Sequence, residues 1–174
     1  LGVDYKRSKE TDLNDINDYF KFKLATVLRD KEENFIPKKS TINRKNSNLF
    51  GSIDNSLFEN FKIKYNFALD NDFNKLEYSN LATTLKFEDL ETTFKFIEEN
   101  GEIGDSNVVE NITEYNFDNS NSIKFKTRRN RKINLTEYYD LVYEYKNDCL
   151  TAGIKYKKTY YEDRDLKPTE NLLF

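Results

Sequence analysis

Cys149 is the only cysteine in this sequence of 174 residues, and there is no histidine. An imidazole base, a His-ligated metal and a thiolate cluster therefore lie outside what these residues can build. A single cysteine reads either as a small buried residue or as an unpaired thiol. The five glycines are scattered, and no phosphate-cradling loop is present. Carboxylates cluster at Glu88-Asp89, at Glu98-Glu99-Glu102 and at Glu162-Asp163-Asp165. Paired carboxylates cleave glycosides or hold calcium. Calcium-loop spacing is missing, and each cluster falls in an expected turn, so solvated turns are the plainer reading. The cationic run Lys124, Lys126, Arg128, Arg129, Arg131, Lys132 suits phosphate groups of nucleic acid or of a lipid headgroup. It also suits a polar strand face with its loop, and no aromatic platform of the RNA-binding kind accompanies it. Neither enzymatic chemistry nor a cofactor is expected. The net charge of −3 gives no pull toward nucleic acid.

The elements that carry these residues are strands. In Tyr138–Tyr161, Tyr139, Leu141, Tyr143 and Tyr145 alternate with Asp140, Val142, Glu144 and Lys146. A tight turn at Asn147-Asp148 follows, with Cys149 immediately after it. A second arm then alternates Leu150, Ala152, Ile154 and Tyr156 with Thr151, Gly153, Lys155 and Lys157. A period of two over such length marks strands with one apolar and one polar face. Each arm is long enough to cross a bilayer at a tilt, which takes roughly 9–11 residues.

The same grammar recurs along the chain. Gly2–Arg7 reads as a strand end, and Ser8–Asp18 as a polar turn with a weak helical pattern. Strands follow at 19–28, 47–54, 61–70, 74–86, 90–98, 108–117 and 121–129, with turns at 55–60, 71–73, 87–89, 118–120 and 130–133. Residues 29–46 form a long polar loop, and 99–107 and 162–169 are further loops. In 61–70, Phe61, Ile63, Tyr65, Phe67 and Leu69 share one face, and Lys62, Lys64, Asn66 and Ala68 share the other. The fold class is all-β: an antiparallel meander of about eleven strands. A mean hydropathy of −0.87 and the lack of a long apolar run exclude a membrane-spanning helix but not a membrane barrel. Fourteen Phe and twelve Tyr need something to cover them. A sandwich core would do so, and so would a lipid-facing band. Strand length and repeated tight turns favour part of a large transmembrane barrel. The chain opens without Met and closes as a new strand begins, so residues 1–174 are expected to be a portion of a longer barrel domain.

The residues at the C-terminal end carry a resemblance. Tyr139–Tyr145, the Asn147-Asp148-Cys149 turn, Gly153, Tyr156 and Asp163-Arg164-Asp165-Leu166 are similar to the end of the LptD (OstA) family of outer-membrane lipopolysaccharide-assembly proteins. Ile63-Lys64-Tyr65-Asn66-Phe67-Ala68-Leu69-Asp70 is similar to barrel strands of that family's alphaproteobacterial members. The resemblance implies a bacterial outer-membrane location and passage of lipopolysaccharide into the outer leaflet, without covalent chemistry. It implies as partners an LptE-like lipoprotein plug, outer-membrane lipids, and a periplasmic lipopolysaccharide-bridge protein reached through an N-terminal domain outside this chain. It places the Cys149 turn in the periplasm and the two longest loops, 29–46 and 99–107, outside. By the same resemblance Cys149 joins a cysteine of the N-terminal domain. That family often has two adjacent turn cysteines, and here Leu150 follows. Lys62, Lys64, Lys155 and Lys157 become candidates for facing lipopolysaccharide phosphates or the plug, or ordinary lumen charges paired with a neighbouring carboxylate. The alternatives are another outer-membrane channel or receptor, and a soluble all-β carbohydrate-binding domain.

Overall fold

The computed structural model describes residues 1–8, 19–161 and 166–174. It is an antiparallel meander of eleven strands in which sequence neighbours are sheet neighbours throughout. The strands are β1 (Gly2–Ser8), β2 (Tyr19–Ala25), β3 (Leu49–Phe58), β4 (Phe61–Leu69), β5 (Leu76–Phe87), β6 (Leu90–Glu99), β7 (Ser106–Asn116), β8 (Asn121–Asn130), β9 (Leu135–Lys146), β10 (Thr151–Thr159) and β11 (Thr169–Leu173). The only helical piece among the described residues is a 3₁₀ turn at Lys38–Ser40. The sheet is not closed, and β1 and β11 are its edges. The expected turn or helix at 9–18 and the Asp163-Arg164-Asp165 segment lie outside the described residues.

The strands form because alternation gives each a face to bury and β-branched and aromatic residues suit a pleated surface. Two compact units result: Leu1–Thr83 with Phe96–Asn107, and Thr84–Lys95 with Val108–Phe174. In the first, register places Tyr5, Phe22, Ile53 and Tyr65 in one row and Leu24, Gly51 and Phe67 in the next, all on one face. Asp4, Lys23, Asp54, Lys64 and Asn66 occupy the other. The ring of Phe67 lies over Gly51, so close that a Cβ there would meet Phe67 Cζ at 2.1 Å. Glycine leaves the notch that the aromatic ring fills, a pairing that restores cover over a strand glycine. Tyr65 stacks on Phe67 at 5.5 Å between ring centres.

In the second unit, register aligns Ile123 with Tyr143 and Phe125 with Leu141, then Tyr143 with Ile154 and Leu141 with Tyr156. These side chains share one face, and Lys124, Lys126, Asp140, Val142, Lys155 and Lys157 share the other. Tyr143 donates to Asn121 Oδ1 at 2.5 Å, and Tyr145 accepts from Asn147 Nδ2 at 3.1 Å, so both hydroxyls sit at the polar end of an apolar face.

Several boundaries differ from the sequence expectation; β2, expected over 19–28, ends at Ala25, and two turns change their extent. The 55–60 turn shrinks to Glu59-Asn60, because β3 continues to Phe58 through a register shift between Asn55 and Phe58. A bulge lets a strand absorb extra residues that alternation alone reads as a turn. The turn after β9 is not the two residues Asn147-Asp148. Lys146 pairs with Thr151, and Asn147 through Leu150 form the loop. Asn147 Oδ1 accepts the N–H groups of Cys149 and Leu150 at 3.0 and 2.8 Å, and the Asn147 N–H donates to Leu150 O at 2.9 Å. An Asx side chain that mimics a backbone turn lengthens the loop.

Connections differ in length between the two ends of the first unit, but not clearly of the second, where 131–134 is as long as 117–120 and 147–150 at the opposite end. In the first, β3 and β4 are joined by Glu59-Asn60, whereas 26–48, 70–75 and 100–105 are longer. The 26–48 segment is well organised. Leu28 bridges Asn46, the Val27 N–H donates to Ser47 Oγ at 2.8 Å, and Glu33 N–H donates to Asn43 O at 2.9 Å. It is fixed at its base by Asn48, fully buried, whose Nδ2 donates to Glu77 Oε2 at 2.5 Å. In the second unit, 88–89, 117–120 and 147–150 lie at one end, where the Asn116 N–H donates to Asp89 O and the Lys146 N–H to Ser120 O.

The 117–120 turn is closed by Asp118, whose Oδ1 accepts the N–H groups of Ser120 and Asn121 at 2.7 and 2.8 Å. Those bonds favour the ionised form, the Ser120 N–H above all, and hold the Asp118 carboxyl below its ordinary value. Its contribution is complete above the unfolded value of about 3.9 and is lost as pH falls through the lower folded value. Asp118→Asn keeps an acceptor but removes the charge. Amide exchange across β7–β8 should lose protection on acidification in the unaltered chain and lose less of it in the variant.

Candidate functional site on the polar face

The charged side chains converge on the face opposite the aromatic rows. In the second unit, Asp140 is the centre. It is 8 % exposed, and its Oδ2 lies 3.1 Å from Lys155 Nζ. Register sets Lys126 of β8 and Lys157 of β10 directly beside it on either side. The Lys157 ammonium sits over the Tyr138 ring, 5.3 Å from its centre. Asp140 Oδ1 is buried without a hydrogen-bond partner among the described residues. One carboxylate thus has three lysines around it, with β8, β9 and β10 as the frame.

A second cluster adjoins it on β6–β9. Glu110 accepts from Lys95 Nζ at 3.2 Å and from the Tyr138 hydroxyl at 3.4 Å. Glu114 pairs with Lys124 at 2.8 Å. Arg128 Nε lies 2.7 Å from Glu137 Oε2, near enough for an ion pair but without an aligned N–H bond. Pairing of this kind lowers the cost of charges that are partly buried on this face.

The sequence-derived candidates fall in separate places. Lys62 and Lys64 belong to the first unit. Lys64 Nζ stands 3.6 Å from Asp54 Oδ2, which also accepts the Tyr19 hydroxyl at 3.1 Å. Lys62 is exposed, beside the β3 register shift. Lys155 and Lys157 belong to the second unit and meet at Asp140. The cationic run 124–132 is divided between faces: Lys124, Lys126 and Arg128 on the polar one, Arg129 on the aromatic one. Cys149 is exposed, and no disulfide forms within the described residues. No group of three metal-ligating side chains is present among the described residues.

Sequence reasoning missed Asp140, Glu110 and Tyr138 as a cluster. Alternation set Asp140 apart from the aromatic positions but assigned Glu110 and Tyr138 to no face, and only register brings the three together. No protein-family model matches the chain, and no curated protein does.

Proposed function

We propose that this chain is a wall of a bacterial outer-membrane β-barrel, and that the barrel belongs to a lipopolysaccharide-assembly translocon of the LptD type. The observation that carries the membrane half is the lack of a core. Among the described residues only Ala68 and Val108 are buried hydrophobics, in a chain with twenty-six Phe and Tyr side chains. Tyr139, Leu141, Tyr143, Ile154 and Leu172 all stay exposed on one face. A water-facing sheet would need a partner layer for so large an apolar patch. Lipid supplies one, with tyrosine hydroxyls at the rim and ion-paired charge toward the lumen. In the first unit the short 59–60 turn opposite the longer 26–48, 70–75 and 100–105 connections fits the same reading, and the resemblance puts 147–150 in the periplasm. Unpaired β1 and β11 edges then continue into neighbouring strands of the barrel, as a lipid-exposed edge is not tolerated.

The transport half rests on the residues of the C-terminal resemblance. In that reading Lys155 and Lys157 face the lumen, available to phosphate groups of lipopolysaccharide or to a lipoprotein plug, as are Lys62 and Lys64. Cys149, exposed on the periplasmic turn, is placed for a disulfide to an N-terminal domain in an oxidising compartment. The test uses the complete reading frame expressed in its own outer membrane. The protein is expected in the outer-membrane fraction, with heat-modifiable migration. A Cys149→Ser variant is expected to lose a species that reducing agent also removes. A soluble product stable without detergent would overturn the membrane half, and a barrel unaffected by Cys149→Ser would remove the disulfide.

A further inference from the structure

The aromatic face of the second unit is interrupted by a groove of about 650 Å³ next to the 131–134 turn. Phe94, Val109 and Tyr139 form its apolar walls, and Arg129, Arg131 and Asn134 stand at its turn end. Beside the walls, Thr92, Asn111 and Thr113 satisfy one another. Thr92 Oγ1 and Thr113 Oγ1 are 2.8 Å apart, and Asn111 Nδ2 donates to Thr92 Oγ1 at 3.1 Å while Thr113 Oγ1 donates to Asn111 Oδ1 at 3.1 Å. Of these only Asn111 lines the groove, together with Thr127, whose Oγ1 donates to Tyr138 O at 3.2 Å; with their polar groups satisfied, that part of the floor is compatible with hydrocarbon. Arg129 points its guanidinium to Asn134 Oδ1. An amide partner is neutral, so that bond orients the guanidinium and leaves its charge for an anion.

A cationic end on a groove with aromatic walls is complementary to one kind of molecule. We propose that the groove seats a single membrane lipid with an anionic phosphate headgroup. Its acyl chain lies against Phe94, Val109 and Tyr139, and its phosphate meets Arg129. Arginine presents a fork that matches phosphate oxygens. The assignment rests on the membrane-wall reading, because only a lipid-facing groove meets acyl chains. It concerns the outer wall and is independent of what crosses the lumen.

The experiment takes the complete protein, reconstituted in vesicles of phosphatidylcholine with a minor share of phosphatidylglycerol. It is extracted in mild detergent, and lipids still bound are counted by native mass spectrometry. Phosphatidylglycerol is expected to be retained over phosphatidylcholine by roughly tenfold relative to their proportions, a difference of the size that charge-assisted bonds give. Arg129→Gln should bring the ratio toward parity while heat-modifiable migration is unchanged. The unaltered protein's preference should also fall as ionic strength rises, which needs no variant. Equal retention of the two lipids, a preference indifferent to Arg129→Gln or to salt, or displacement by inorganic phosphate as effective as by phosphatidylglycerol overturns the proposal. A protein that never enters vesicles and shows no heat-modifiable form fails at the earlier step, and the wall reading falls with it.

Discussion

Phe67→Lys should remove most of the protein from the outer membrane, while Asn66→Lys on the same strand should leave its level near that of the unaltered chain. The two positions are adjacent on β4 and point to opposite faces. Phe67 stands in the aromatic row opposite Gly51, and Asn66 stands in the polar row opposite Ser52. In the membrane reading a lysine at Phe67 faces acyl chains at a cost of roughly 2–4 kcal/mol near the midplane, less toward an interface. The substitution also removes the flat ring that fills the notch over Gly51, and a flexible lysine stem drawn toward water by its ammonium does not cover the notch in the same way. A lysine at Asn66 joins a face that already holds Lys62 and Lys64. The measurement is the outer-membrane yield and the heat-modifiable fraction of each variant. A sandwich would also suffer from Phe67→Lys, but its loss would appear as unfolding of a soluble product. Equal membrane yield for the two variants would show that the aromatic row does not face lipid.

The strand count, the meander and the two faces were legible in the sequence because a period of two survives in every strand long enough to show it. Phe61 through Leu69 is the plainest case. Ends were less legible. Asn55 and Ser56 look like turn residues, yet β3 carries them to Phe58 through a register shift that composition does not mark. The 147–150 loop was read short because Asn147 suits a two-residue turn as well as the longer Asx turn that forms. The lysines named in advance lie on the polar face as alternation required, but their partners were not legible. Asp140 meets Lys126, Lys155 and Lys157 only because three strands hold a particular register, and a slip of one residue would turn Asp140 to the other face. The groove at Arg129 was hidden for a related reason. A cationic run reads as one patch, whereas strand alternation sends neighbours Arg128 and Arg129 to opposite sides of the sheet.

Asp140→Asn should destabilise the sheet far more than Lys155→Met, although the two residues form one ion pair. Lys155→Met leaves Asp140 with Lys126 and Lys157 beside it, and either ammonium can take the vacated place. Loss should stay under about 1 kcal/mol, as for pairs with a solvent-accessible member. Asp140→Asn leaves three lysines on adjacent strands without their anion. Like charges directly across strands are destabilising, and removing the anion from a largely buried cluster costs up to 3–5 kcal/mol. Lys155 is 40 % exposed at its side chain, so screening lowers the expected cost to about 2 kcal/mol. Urea unfolding of the purified protein, followed by loss of the heat-modifiable form, measures both variants. Adding Lys155→Met to Asp140→Asn should recover part of the loss, because one of the repelling charges is gone. Equal effects of the two single variants would mean that the neighbouring lysines do not reach Asp140. The same geometry sets a second, opposite expectation. Asp140 holds lysines that the translocon reading assigns to phosphate, so Asp140→Asn should bind anionic lipid or inorganic phosphate more tightly while folding less stably. A variant that lost stability and anion binding together would place Asp140 among the groups that shape the polar face rather than among those that restrain its charge.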